Sequence, residues 1–389
     1  MPELNDVPGE EEFPRATYLE TMVRLLDTVS YNDENFTDEE RTECLKYAYG
    51  KAAEHFAQPH VQETLKVPPK RMAAALKTIV GMCVYSWCRV SKEVMADLSI
   101  HYTYTLLLDD SREEPAGTMA TWYEDLLNAR PQSHGWWRLV NDFIPNVLRH
   151  YGGYCQMNMV RSTIDFFQGC WIEQHNFKGY LGASDYPGFL RRINGLGHCV
   201  GSSIWPIELV DEEKHFLEIT TAIAQMENWM VWTNDLFSFY KEYFAERDQT
   251  SLVNNYVECE GITLDQALDK LCKDTIRSSE EIIQVWQDKD PKMYEILTRF
   301  LQGYITWHLC DDRYRLVEVY QAAGDDETAQ KFKKYVESAR RVGAIDPARY
   351  AVPSVTELSE RAMAQQSARR SWGFGIGALA SKISSVAQY

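Results

Sequence analysis

Apolar residues recur at three- and four-residue spacing along almost the whole chain. Tyr18, Met22, Leu25, Leu26 and Val29 set the pattern near the start. That period matches one face of an α-helix. The same pattern predicts helices over 41–56, 70–93, 96–110, 121–129, 136–150 and 155–175. Others follow over 186–199, 216–242, 264–287, 293–320 and 328–342, and Asp38 is placed to cap the 41–56 helix. Period-two alternation between turn pairs is missing, so no sheet is expected. Breakers fall between the periodic runs: Pro68-Pro69, Gly152-Gly153, Asp288 to Pro291 and Gly324 to Asp326. The fold class is therefore all-α: a single domain over 15–352, with about ten to twelve helices, several of them long and central. An acidic N-terminal stretch, 1–14, is expected to be disordered. A Ser-, Ala- and Gly-rich tail, 353–389, is expected to be flexible.

Composition narrows the options. The 389 residues are 45% hydrophobic and 12% aromatic, with 11 Trp and 22 Tyr. Most of that material fills core, but part of it could line a cavity. The formal net charge of −17 argues against nucleic acid, whose phosphates need Lys and Arg. It also disfavours an anionic membrane surface. Nine cysteines are scattered without a C-x-x-C pair, as in a reduced, cytoplasmic protein. No basic and apolar leader opens the chain, and no apolar run is long enough to span a bilayer.

Two oxygen-rich clusters stand out. The 96–110 helix ends in Asp109-Asp110-Ser111-Arg112-Glu113. Asp109 and Glu113 share a face, and neighbouring carboxylates after an apolar run repel each other unless a cation joins them. Mg²⁺, a hard ion, suits such oxygens. A plain polar helix end is the alternative. The 216–242 helix carries Asn234, Ser238 and Glu242 at four-residue steps. Each step turns only about 40°, so the three oxygens line one stripe. A solvated stripe is the alternative here. The coincidence of both clusters in one helical chain favours a metal and an anionic substrate.

These residues carry a resemblance. The two clusters are similar to the aspartate-rich and N-D-x-x-S-x-x-K-E metal motifs of class I terpene cyclases. The segments at 101–111, 189–201, 224–232 and 307–316 resemble the fungal trichodiene synthases over about residues 13–350. The resemblance implies an isoprenoid-synthase helical bundle around a central apolar cavity. It implies a homodimeric lyase that cyclises farnesyl diphosphate to trichodiene, the first step of trichothecene biosynthesis, with three Mg²⁺. Asp109, Glu113, Asn234, Ser238 and Glu242 are the implied metal ligands, with Glu113 standing where the family pattern has Asp. Arg191, Lys241, Arg313 and Tyr314 are implied to grip the diphosphate, and Asp109, Arg313 and Tyr314 to act in catalysis. Tyr102, Leu106, Phe166, Asn194, Tyr304 and Trp307 are the candidate cavity residues. Tyr102, Leu106 and Asp109 lie on one helical face, as do Tyr304, Trp307, Asp311 and Tyr314 on the 293–320 helix. His101, His198 and His308 are read as packed histidines. Three rivals stay open: a cyclase of this fold with another product, such as a longiborneol-type synthase; a chain-elongating prenyltransferase; and a helical prenyl-diphosphate-binding protein without catalysis.

Overall fold

A computed structural model describes residues 13–109, 121–245, 249–343, 353–361 and 363–364. Among them there is no strand. The helices in order are α1 (Arg15–Thr28), α2 (Asp38–Phe56), α3 (Pro59–Leu65), α4 (Pro69–Ser86), α5 (Lys92–Asp109) and α6 (Trp122–Leu127). Then come α7 (Gly135–Leu148), α8 (Gly153–Glu173), α9 (Tyr186–Asn194), α10 (Gly197–Ser203) and α11 (Phe216–Tyr243). The chain continues with α12 (Leu252–Glu260), α13 (Leu264–Gln287), α14 (Pro291–Cys310), α15 (Leu316–Ala322) and α16 (Glu327–Gly343).

Local chemistry starts and stops these helices. Thr37, not Asp38, caps α2: its hydroxyl accepts from the Glu40 N–H while the Glu40 carboxylate accepts from the Thr37 N–H. Thr263 and Gln266 repeat this reciprocal box at α13. Asp290 accepts from two N–H groups before Pro291 opens α14. Three helices predicted as continuous are broken. The 70–93 run is interrupted after Ser86. The 186–199 run breaks at Gly195-Leu196, where Leu196 sits at φ +57°. The 293–320 run ends at Cys310; Asp311 then caps a 3-10 turn, Asp312–Tyr314, and Arg315 takes φ +57°. Period alone cannot register such breaks, because the side chains on both sides still face the core.

Helices α5 and α14 and the C-terminal half of α11 are buried around most of their circumference, as central helices should be. Around them, α4 packs on α5 and α14, and α10 packs between α8 and α11. A Cβ added at Gly303 of α14 would lie 1.8 Å from the Tyr85 carbonyl oxygen. The backbones of α4 and α14 thus touch there, and only glycine fits. Buried Leu98, Leu107, Phe237 and Ile305 fill the interior between these helices; each such side chain contributes about 1.5–3 kcal/mol.

Both ends differ from their sequence reading. Phe13, assigned above to a disordered arm, is buried among Tyr18, Phe239, Tyr240, Tyr243 and Phe244. It thereby braces the C-terminal end of α11. Residues 355–361, read as the start of a flexible tail, are helical. Val355 is buried there, and Ser359 donates to the Ala57 carbonyl at 3.2 Å.

Candidate active site

The inner helices line a cavity of about 1100 Å³ with its open mouth included. Its lower wall is apolar and aromatic: Ile79 and Met82 from α4, Tyr102 and Leu106 from α5, Phe166 from α8, Met230 from α11, and Tyr304 and Trp307 from α14. Asp109, Glu173, Arg191, Asn234, Ser238, Lys241, Glu242, Arg313 and Tyr314 line it as well, and they are its polar part. Every sequence-predicted site residue among those described lines this one cavity, including Asn194. Glu113 lies outside the described residues.

Asp109 is the last residue of α5. The ligand atoms of Asp109, Cys170 and Glu173 lie within 4.8 Å of one another. Burial pushes the Cys170 thiol well above its usual range. Sulfur is a soft donor, so the two carboxylates are the donors suited to a hard cation. The Arg313 guanidinium stands 4.0 Å from the Asp109 carboxylate. Arg313 and Tyr314 are not on a helix with Trp307, as the sequence pattern suggested. They sit in the 3-10 turn beyond it, set by Asp311, which accepts from the Arg313 N–H at 2.9 Å and from the Thr78 hydroxyl at 3.1 Å.

The opposite wall is α11. Arg191 reaches it from α9, donating to Asp235 at 2.8 Å and to Asn234 Oδ1 at 3.3 Å. Burial pushes the Asp235 carboxyl up to about 7, with Arg191 pulling against it and Glu242 adding to the rise. Asn234 donates from Nδ2 to His308 Nε2 at 3.1 Å and to the Tyr314 hydroxyl at 3.2 Å. Ser238 is buried at the next turn, and the Lys241 ammonium lies 3.6 Å from Glu242. Asn194 joins the two walls. Its Oδ1 accepts from Arg191 at 3.3 Å, and its Nδ2 donates to Glu173 at 2.7 Å.

The cavity's polar atoms are turned to protein partners. Tyr102 Oη pairs with Ser203 Oγ at 3.0 Å, Tyr304 Oη donates to Met230 Sδ at 3.1 Å, and Trp307 Nε1 donates to the Thr78 carbonyl at 2.9 Å. His101 and His308 are packed, as expected. Burial lowers them to about 4 and about 3, so both are neutral. His198 pairs with Glu227 at 2.9 Å.

The donor set fits a hard divalent cation. Amide, hydroxyl and carboxylate oxygens from α11 face the cavity, and two carboxylates converge from α5 and α8. Sequence reasoning missed Glu173 and the role of Asp235. Asp235 lay inside a recognised motif and could have been found there. Glu173 follows Trp171-Ile172 with no motif around it.

A family model described as Trichodiene synthase (TRI5) matches residues 12–371. Trichodiene synthases of Trichoderma arundinaceum and Trichoderma harzianum are each 94% identical over 388 residues, covering 100% of both chains. That of Stachybotrys chartarum is 60% identical over 362 residues, covering 92% of this chain and 94% of its own. The chain belongs to the trichodiene synthase family of terpene cyclases.

Proposed function

We propose that the chain ionises farnesyl diphosphate and cyclises it to trichodiene, releasing diphosphate. The observation that carries the reading is a cavity lined both by carboxylate, amide and cationic side chains and by aromatic ones. Asp109 and Glu173 would hold metal from one side, and Asn234, Ser238 and Glu242 from the other. Bound there, Mg²⁺ supplies Lewis acidity to the leaving diphosphate oxygens. Three such ions, a homodimer and a cytoplasmic setting accord with family membership. No described helix is long and apolar enough to cross a membrane.

The chain's own residues do the rest. Arg313 and Arg191 offer planar forks to phosphate oxygens, and Lys241 a compact charge. Tyr314 adds a hydroxyl donor. As these groups bind the diphosphate, the walls of the mouth draw together and exclude water. The allylic C–O bond breaks, its electron pair leaving with diphosphate. Leu106, Phe166 and Trp307 fold the prenyl chain so that its double bonds meet the cationic carbon. The ring faces of Tyr102, Tyr304 and Trp307 each stabilise passing positive charge by roughly 0.5–2 kcal/mol. With their polar atoms paired to protein, the floor holds no ready nucleophile to quench the cation. Proton loss to the departed diphosphate then ends the sequence.

The test is incubation of purified protein with farnesyl diphosphate and Mg²⁺, followed by mass spectrometry of a pentane extract. One dominant trichodiene peak is expected. A different sesquiterpene would keep the cyclase and remove the product. No hydrocarbon, with metal-dependent diphosphate binding retained, would reduce the chain to a binding protein.

A further inference from the structure

His308 is fully buried one residue beyond Trp307, and the reaction sketched above gives it no task. Its ring is packed against Phe237, Tyr304, Trp307 and Tyr314, with centroids 4.4–4.9 Å away. Its Nδ1–H donates to the Tyr304 carbonyl at 2.7 Å. That bond fixes the tautomer and leaves Nε2 as an acceptor. Among the described residues, the other polar contact of the ring is Asn234 Nδ2, at 3.1 Å.

We infer that His308 is a positioning residue for the metal site: its Nε2 acceptor holds the Asn234 amide with Nδ2 turned inward and Oδ1 presented to the metal. The neighbours of that amide allow no other arrangement. On the nitrogen side stand His308 Nε2 and the Tyr314 hydroxyl oxygen. On the oxygen side stands a guanidinium, Arg191 Nη2 at 3.3 Å. A flipped amide would face Oδ1 to the lone pair of Nε2 and Nδ2 to a cation. The four-ring cage prevents the imidazole from swinging to follow. Outer partners of this kind orient metal ligands, and losing one typically costs 10–100-fold in metal affinity or activity. His308 also touches the Trp307, Tyr304 and Tyr314 rings, so one buried ring fixes both a ligand and part of the cavity floor. The inference rests on the reading of Asn234 as a metal ligand.

The first readout of the test needs no turnover. Binding of inorganic diphosphate in the presence of Mg²⁺ is measured by calorimetry for the unaltered chain, H308F and H308Q. Phe keeps the ring and removes the acceptor; Gln can place Oε1 close to where Nε2 stood. H308F is expected to weaken Mg²⁺-dependent diphosphate binding about tenfold or more and to raise the Mg²⁺ needed for half-maximal turnover. H308Q is expected to recover most of both. In an Asn234→Asp background the amide donor is gone, and H308F should then cost little more. If H308F does not fold, H308Q against H308M, of similar length without an acceptor, makes the same comparison. Binding by H308F equal to that of the unaltered chain would overturn the inference alone. So would equal losses in H308F and H308Q at unchanged melting temperature. No Mg²⁺-dependent diphosphate binding by the unaltered chain would overturn the metal-site reading as well.

Discussion

The two walls of the cavity mouth are held in different ways. Asp109 ends its helix with a side chain 44% exposed, facing Arg313 at 4.0 Å. Across the cavity, Asn234 is hydrogen-bonded on both sides of its amide, Ser238 is buried, and Asp235 ties Arg191 down at 2.8 Å. A carboxylate at a helix end is cheap to move. An amide locked in a buried network is costly to move. The α11 wall is therefore built before the substrate arrives, and the Asp109 wall can adjust to it. Substitutions on the first should alter binding and stability together; those on the second should alter metal use and turnover with little loss of stability.

Five outcomes break or sharpen that contrast, beginning with the largest. Chelation with EDTA should reduce turnover to background, with full recovery in excess Mg²⁺ and little change in the melting temperature of the ligand-free protein. Turnover that survives chelation would remove metal from both walls. Asp109→Ala should lower kcat by about 10³-fold or more while leaving unfolding free energy within ~1 kcal/mol. A large stability loss in that variant would mean that this wall is as fixed as its partner. Ser238→Ala should cost about 10–100-fold in turnover, recovered in part at high Mg²⁺, with some loss of stability. Glu173→Gln should raise the Mg²⁺ requirement by a smaller factor, about 3–10-fold. A Mg²⁺ titration that superimposes on that of the unaltered chain would exclude Glu173 from the site. Phe13→Ala should cost about 3 kcal/mol or more of stability, as buried Phe deletions do, with only a few-fold fall in turnover. Denaturant titration and steady-state kinetics together check it. Unchanged stability would show that the aromatic cluster does not brace α11.

Much of this was legible in the sequence because two kinds of signal agree. Apolar spacing places the long helices, and the oxygen-bearing side chains at 109 and at 234, 238 and 242 interrupt that spacing on one face. The unread parts depend on contacts between distant residues. Leu196 and Arg315 adopt left-handed backbone that neither residue type favours, so no local rule announces the breaks beside Arg191 and after Arg313. Glu173 becomes a ligand candidate only because α8 ends beside Asp109. Phe13 reads as part of a polar arm until the aromatic residues at the end of α11 surround it.

The contact at Gly303 bears on attempts to make other ring skeletons with this scaffold. Even a methyl group there would have to pass through the Tyr85 carbonyl, so the α4–α14 seam is fixed in width. Libraries aimed at a wider or reshaped chamber should leave that side untouched. The room to vary lies at Leu106, Phe166 and Met230, whose side chains line the cavity.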